Sequence, residues 1–146
     1  MKEYLMISAC LLGVDCKYNG GNNKLPDGIL EKLAEKYSLL PVCPECYGGL
    51  TTPRLPSERV GDRVLSSDGT DVTAQYRKGA SAALLLKELT GARLALLKEN
   101  SPSCGKSRIY DGTFSLTLTE GDGVCAEALM KNGVTVYGES EAEMLL

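Results

Sequence analysis

The chain has 146 residues, a length that fits one domain, and we expect a single domain over residues 1–146. Hydrophobic residues make up 43% and charged residues 24%, a composition that supports a packed core and excludes a disordered chain. The net charge of −3 argues against a nucleic-acid partner, and the absence of histidine excludes histidine-based catalysis and every metal site that needs histidine.

The first half of the chain alternates short apolar runs with longer amphipathic ones. Residues 4–8 favour a first strand that runs into a long polar loop over residues 9–25. Pro26 suits the first turn of a helix, and a second strand is predicted at residues 39–42. A long irregular stretch, rich in glycine, proline, serine and aspartate, is expected from residue 43 to residue 69.

The second half continues the alternation. Asp71 or Thr73 can cap a helix that runs to Thr90, and Gly91 fits its C-terminal stop. The remaining predicted elements are a strand at residues 94–97, a loop over residues 98–121 with a short hairpin strand at 113–118, a helix from Asp122 to Asn132, a strand at residues 134–137 and a last short helix with Ser140 and Glu143 as its capping box.

This order of elements predicts an α/β fold. Strands that alternate with helices favour a three-layer, Rossmann-like or flavodoxin-like arrangement around a mainly parallel sheet with right-handed crossovers. Two loops are longer than a compact domain needs, and both follow predicted strands. Because open parallel sheets bind ligands outside the carboxyl ends of their strands, we expect the functional site among these loops.

The N-terminal segment predicts a cytoplasmic protein. Too few residues precede Cys10 for a signal peptide, although residues 7–10 look like a lipoprotein cleavage box. The apolar stretch over residues 4–14 is also too short for a membrane helix, so no membrane partner is expected. In the reducing cytoplasm, grouped cysteines indicate metal or redox chemistry more often than disulfides.

Three of the six cysteines follow predicted strands. Cys10 comes after the first strand, Cys43 after the second, and Cys104 lies in the loop after the third. Three thiolates that meet at one sheet edge could hold a soft metal or an iron–sulfur cluster. Each could instead be a small buried hydrophobe, but their polar, loop-like contexts favour the ligand role. Cys16 could line the pocket or supply a fourth thiol, and Cys125 is expected in the core.

Two other interpretations of the cysteines stay open. Cys43 and Cys46 could form a redox dithiol, although the glycines at positions 48 and 49 make a poor helix start for a motif of that kind. A second alternative is a non-catalytic zinc module, because four thiolates make a closed structural site; its ligands would be Cys10, Cys43, Cys46 and Cys104.

Polar residues beside the cysteines are candidates for catalysis. Glu45 lies two residues after Cys43, and a carboxylate beside a thiolate cluster is suited to proton transfer. Ser101 and Ser103 could donate hydrogen bonds to sulfur or to substrate. The plainer alternatives are a solvated loop glutamate and ordinary turn chemistry for a serine before proline.

Several motifs occur in order along the chain: residues 8–13 (SACLLG) with Cys16, residues 41–45 (PVCPE) with residues 48–50 (GGL), residues 71–73 (DVT), residues 101–105 (SPSCG) and residues 110–114 (YDGTF). Together they resemble the family of domain of unknown function 523, whose characterised members are thiouracil desulfidases. The resemblance extends from about residue 5 to residue 137 and includes every motif just named.

The resemblance implies an iron–sulfur-dependent, non-redox desulfidase that converts a thiolated pyrimidine such as 2-thiouracil to uracil and sulfide. It implies a [4Fe-4S] cluster with one iron that lacks a protein ligand and that polarises the C=S bond for attack by water. The cluster ligands by motif are Cys10, Cys43 and Cys104, the expected base is Glu45, the residues that orient the ring or move a proton are Ser101 or Ser103, and Tyr18 or Tyr47 could stack on the ring.

Overall fold

The structure, a computed structural model, describes residues 1–146. Its helices and strands, in chain order, are β1 (Glu3–Ser8), α1 (Asp27–Lys36), β2 (Tyr37–Val42), α2 (Pro44–Tyr47), β3 (Ser57–Val60), β4 (Arg63–Ser66), α3 (Thr73–Thr90), β5 (Leu94–Leu97), β6 (Arg108–Tyr110), β7 (Leu118–Glu120), α4 (Val124–Lys131) and β8 (Thr135–Gly138). Two 3-10 helices, Ala9–Leu12 and Glu139–Leu145, complete the set.

A four-stranded parallel sheet forms the centre of the molecule, in the strand order β2-β1-β5-β8. Successive side chains of β1 point to opposite faces. Met6 joins the core against α3 and α4, whereas Leu5 and Ile7 join the core against α1 and the C-terminal 3-10 helix. Since all three are fully buried, the sheet is covered on both faces, as parallel sheets are. The predicted three-layer α/β fold is confirmed.

The predicted elements of the sheet are confirmed to within one or two residues, and the strand at residues 94–97 agrees at both ends. The long helix of the second half is also confirmed. It ends at Thr90, and Gly91 follows in the left-handed conformation with a φ of 71°. That conformation carries no Cβ penalty at glycine, which is why the helix stops there.

Three local predictions are wrong. The stretch over residues 43–69 is not irregular: it contains α2 and the antiparallel hairpin of β3 and β4. Residues 113–117 lie in the turn of a second hairpin, whose strands β6 and β7 flank residues 111–117. The capping box of the last helix uses the Glu141 carboxylate, which accepts the Gly138 N–H at 3.0 Å, while the Ser140 hydroxyl donates to Glu99 instead.

The longest helix is α3, at 18 residues. No helix in the chain combines the length and the apolar character that a membrane span requires.

Candidate active site

A cavity of about 530 Å³ opens at the carboxyl ends of the sheet strands. The ends of β2, β1 and β5 are neighbours there, because these strands pair in that order. The three loops that leave these strands bring Cys43, Cys10 and Cys104 to the lining of this one cavity. Residues far apart in sequence thus meet at the edge of the sheet where ligands of α/β proteins bind.

The loop of Cys104 is held by α4. The first N–H groups of a helix lack partners within the helix, and here the carbonyl groups of Pro102 and Ser103 accept them from Val124 and Cys125 at 2.9 Å. A Cβ at Gly123 would lie 2.4 Å from the Ser103 carbonyl carbon, so this close approach requires glycine. The position of Cys104 is therefore set by backbone contacts that do not involve its sulfur.

The segment of Cys43 is held by α3. Cys43 precedes α2, whose four residues lie directly against α3. A Cβ at Gly48 would come within 2.0 Å of the Gln75 carbonyl oxygen, and one at Gly79 within 1.9 Å of the Pro44 carbonyl oxygen. Gly48, just after α2, and Gly79, in α3, thus allow the backbones of the two helices to come into direct contact.

A chain of hydrogen bonds links the loops of Cys43 and Cys104. The Ser101 hydroxyl oxygen accepts the backbone N–H groups of residues 103 and 104, both at 3.1 Å, which leaves its proton available to the Ser103 hydroxyl at 3.0 Å. The Ser103 hydroxyl donates to Glu45 Oε1 at 2.6 Å, and Cys43 Sγ lies 3.8 Å from Glu45 Oε2. The structure therefore joins the three predicted catalytic residues, although Ser103 lies just behind the cavity lining.

Burial controls the protonation of the three cysteines. It raises the pKa of Cys10 and of Cys43, and it raises the pKa of Cys104 to about 12. The negative charge of Glu45 is the second cause for Cys43 and Cys104. Buried thiols of this kind lose their protons when a metal group binds them and offsets the negative charge.

The donor set fits an iron–sulfur cluster better than a single ion. Thiolates are the usual ligands of such clusters, and a cluster presents its iron atoms at separate corners. No group of three cysteine or carboxylate side chains is arranged to hold one metal ion. The four-cysteine zinc site is not assembled either, because Cys46 is exposed, lies outside the cavity lining and has its Sγ 3.6 Å from Thr52 Oγ1.

The structure also argues against a redox dithiol of Cys43 and Cys46, but not because of the glycines at positions 48 and 49. A one-turn helix does follow Cys43, contrary to the prediction from the two glycines. Burial nevertheless raises the pKa of Cys43, whereas a redox-active cysteine at a helix start has a lowered pKa. Of the remaining cysteines, Cys16 is buried and lines the cavity, and Cys125 is fully buried in the core, as predicted.

Sequence reasoning missed several residues of the cavity. Of the two tyrosines considered for stacking, Tyr18 lines the cavity, but Tyr47 donates its hydroxyl to the Pro41 carbonyl oxygen and lies outside. The missed lining residues come from β3, α3 and the β6–β7 hairpin: Glu58, Tyr76, Tyr110, Phe114 and Leu116. The only signal for them in the sequence was the motif at residues 110–114, which includes the single phenylalanine of the chain.

Comparison with known proteins agrees with this arrangement. The chain matches the family described as 2-thiouracil desulfurase over residues 5–141. It is 36% identical over 152 aligned residues to the uncharacterized protein YbbK of Bacillus subtilis (strain 168), with 97% of this chain and 99% of that protein covered. A solved structure of the [4Fe-4S]-dependent thiouracil desulfidase TudS superposes with a TM-score of 0.94 at 42% identity, and the match covers 99% of this chain and 95% of that one.

Proposed function

The chain belongs to the 2-thiouracil desulfurase family, and from that premise we propose that it removes sulfur from a thiolated pyrimidine, with 2-thiouracil as the first substrate to test. The reaction converts C=S to C=O: one water is consumed and hydrogen sulfide is released, with no net oxidation or reduction. The observation that carries the proposal is the meeting of Cys10, Cys43 and Cys104 at one cavity beside the carboxylate of Glu45.

We propose that these three cysteines hold a [4Fe-4S] cluster. The solved relative TudS is described as [4Fe-4S]-dependent, and the donor set here consists of three thiols at one cavity. When bound, such a cluster supplies an iron without a protein ligand, a Lewis acid with affinity for the thiocarbonyl sulfur. Cys16 lines the same cavity and could supply a further thiol.

We propose that Glu45 is the base that takes a proton from the attacking water. Its Oε1 accepts the Ser103 hydroxyl at 2.6 Å, which fixes the orientation of the carboxylate. Glu45 itself lines the cavity, so it can return this proton directly to the departing sulfur. The Ser101 oxygen already accepts two backbone N–H groups and its hydroxyl donates to Ser103, so the two serines orient the carboxylate.

The cavity suits a small molecule. Its volume of about 530 Å³ lies within the range of about 300–1,000 Å³ that is typical of small-molecule sites. Aromatic walls are supplied by Tyr18, Tyr110 and Phe114. A planar heteroaromatic ring fits such walls, because aromatic faces stack at low cost in conformational freedom.

The test is sulfide release from 2-thiouracil by protein purified without oxygen and reconstituted with iron and sulfide. Cys104→Ala should lose both the cluster absorbance and the sulfide release. Cys46→Ser is the matched control, since its thiol is exposed and outside the cavity, and it should retain both. A wild-type protein that binds zinc but forms no cluster would refute the proposal.

A further inference from the structure

The turn between β6 and β7, residues 111–117, forms one wall of the cavity; we refer to it as the hairpin tip. Phe114 and Leu116 of the tip line the cavity and remain 39% and 82% exposed. Both have left-handed backbone conformations, with φ values of 55° and 61°. Residues other than glycine rarely adopt this conformation, and it persists only where the surroundings hold it.

Glu58, in the neighbouring hairpin of β3 and β4, restrains the backbone of the hairpin tip. This residue of β3 is only 7% exposed and lines the cavity. Its Oε1 accepts two backbone N–H groups of the tip, from Gly112 at 2.9 Å and from Phe114 at 3.1 Å. Hydrogen bonds to a carboxylate are about twice as strong as neutral ones, so a single side chain restrains the tip at two points.

A second contact, between Gly112 and Val60, places the hairpin tip directly against β3. A Cβ at Gly112 would lie 2.2 Å from Val60 Cγ2, and Gly112 has a φ of 95°. Only glycine combines this backbone conformation with so close an approach. Packing and hydrogen bonding therefore fix the tip to the same strand, independently of each other.

Three carboxylates line the cavity, and two of them, Glu45 and Glu58, have contrasting surroundings. Glu45 faces hydroxyl and thiol groups, which exchange protons. Glu58 faces backbone amides, which donate hydrogen bonds and do not exchange a proton during turnover. This contrast separates a group that can move a proton from a group that holds a segment in place.

We propose that Glu58 is a positioning residue: it holds the hairpin tip so that Phe114 lies against the face of a ring-shaped substrate. The inference rests on the proposed function and adds specificity to it. Planar cyclic thiocarbonyl compounds are favoured over open-chain thioamides, because only a ring gains from stacking on Phe114. Loss of one base–aromatic stack typically weakens binding roughly tenfold to hundredfold.

The test compares reconstituted wild-type holoprotein with Glu58→Ala, Glu58→Gln and Phe114→Ala. Amide hydrogen exchange of the hairpin tip should be about tenfold faster or more in Glu58→Ala, intermediate in Glu58→Gln, whose amide oxygen still accepts but forms neutral hydrogen bonds, and unchanged in Phe114→Ala. Glu58→Ala and Phe114→Ala should each weaken the binding of uracil, the product, by about tenfold or more.

With thiouracil as substrate, both variants should show a KM raised by a similar factor and a much smaller change in kcat. Turnover of thioacetamide, an open-chain thioamide, should fall by a much smaller factor than turnover of thiouracil, and cluster absorbance should be unchanged in all three variants.

Two results would overturn the inference. Wild-type exchange and wild-type uracil affinity in Glu58→Ala would show that the carboxylate does not hold the tip. A loss of kcat in Glu58→Gln equal to that in Glu58→Ala, with KM unchanged, would show that Glu58 moves a proton. Exchange and uracil binding require no turnover, so a wild-type protein that releases no sulfide would refute the proposed function while this inference is still decided by those two measurements.

Discussion

The contact between α2 and α3 gives a sharp prediction at Gly79. Glycine in the middle of an 18-residue helix costs about 1 kcal/mol relative to alanine, so Gly79→Ala on an isolated helix would be stabilising. In the folded protein the new Cβ would lie 1.9 Å from the Pro44 carbonyl oxygen, and backbone cannot yield as a flexible side chain does. Overpacking of this kind costs about 1–3 kcal/mol, and we place Gly79→Ala at or beyond the upper end of that range.

The net result should be a loss of about 2 kcal/mol in the free energy of unfolding, or about 4–8 °C in Tm for a chain of this size. Because α2 has to move, Cys43 and Glu45 move with it, and the cluster content after reconstitution should also fall. Thermal and urea unfolding measure the first effect, and iron content with absorbance measures the second.

Gly28 in α1 provides the matched control. No atom lies within 4 Å of a Cβ built there, and Gly28→Ala should therefore raise stability slightly, by at most about 0.5–1 kcal/mol, with full cluster content. If Gly79→Ala were as stable as Gly28→Ala and equally loaded, the argument that backbone contact positions Cys43 would be refuted.

Three further predictions concern the orientation of the base, the acid limit of stability and the core. Ser103→Ala removes the donor to Glu45 and should lower kcat by about tenfold or more with cluster absorbance retained; an unchanged kcat would show that Ser103 does not orient the base. Thr73 hydrogen bonds hold the pKa of Asp71 at about 2, below its ordinary 3.8, so its contribution to stability is present above pH 3.8 and is lost as the pH falls towards 2. Urea unfolding should accordingly show a shallower acid decline for Asp71→Asn, and an identical decline would contradict this reasoning. Cys125→Ala should lower the free energy of unfolding by about 1 kcal/mol with the cluster content unchanged, whereas loss of iron would assign Cys125 a role at the site.

The parts of the fold that are predictable from sequence are those that bury continuous apolar runs. Residues 94–97 form a fully parallel-paired strand with three buried side chains, and their pattern alone predicts it. The hairpin of β3 and β4 forms a separate two-stranded sheet and carries charged residues, among them Glu58 and Arg63. Because the hairpin lacks a continuous apolar run, its sequence shows no hydrophobic periodicity that would predict strands. Its turn at Gly61 lies in a stretch already rich in glycine and proline, so the turn does not stand out in the sequence.

The candidate site likewise has one part that the sequence predicts and one part that it does not. Cys10, Cys43 and Cys104 could be placed together because each follows a strand, and the carboxyl ends of parallel strands share an edge. The contact of Glu58 with Gly112 and Phe114 spans 54 and 56 residues and joins two hairpins outside the main sheet. No rule of strand order places two such hairpins relative to each other, so this part of the cavity required the structure.

The way the segments of Cys43 and Cys104 are held supports a catalytic rather than a structural role for the proposed cluster. In small domains organised by zinc, the metal–thiolate bonds themselves hold the chain together. Here the loop of Cys104 is held by the N–H groups of α4 and by Gly123, and the segment of Cys43 by Gly48 and Gly79. None of these contacts involves a sulfur atom, so the backbone alone holds both cysteine segments. This arrangement supports the proposal that Cys43 and Cys104 belong to a preorganised ligand set, as expected of a catalytic centre.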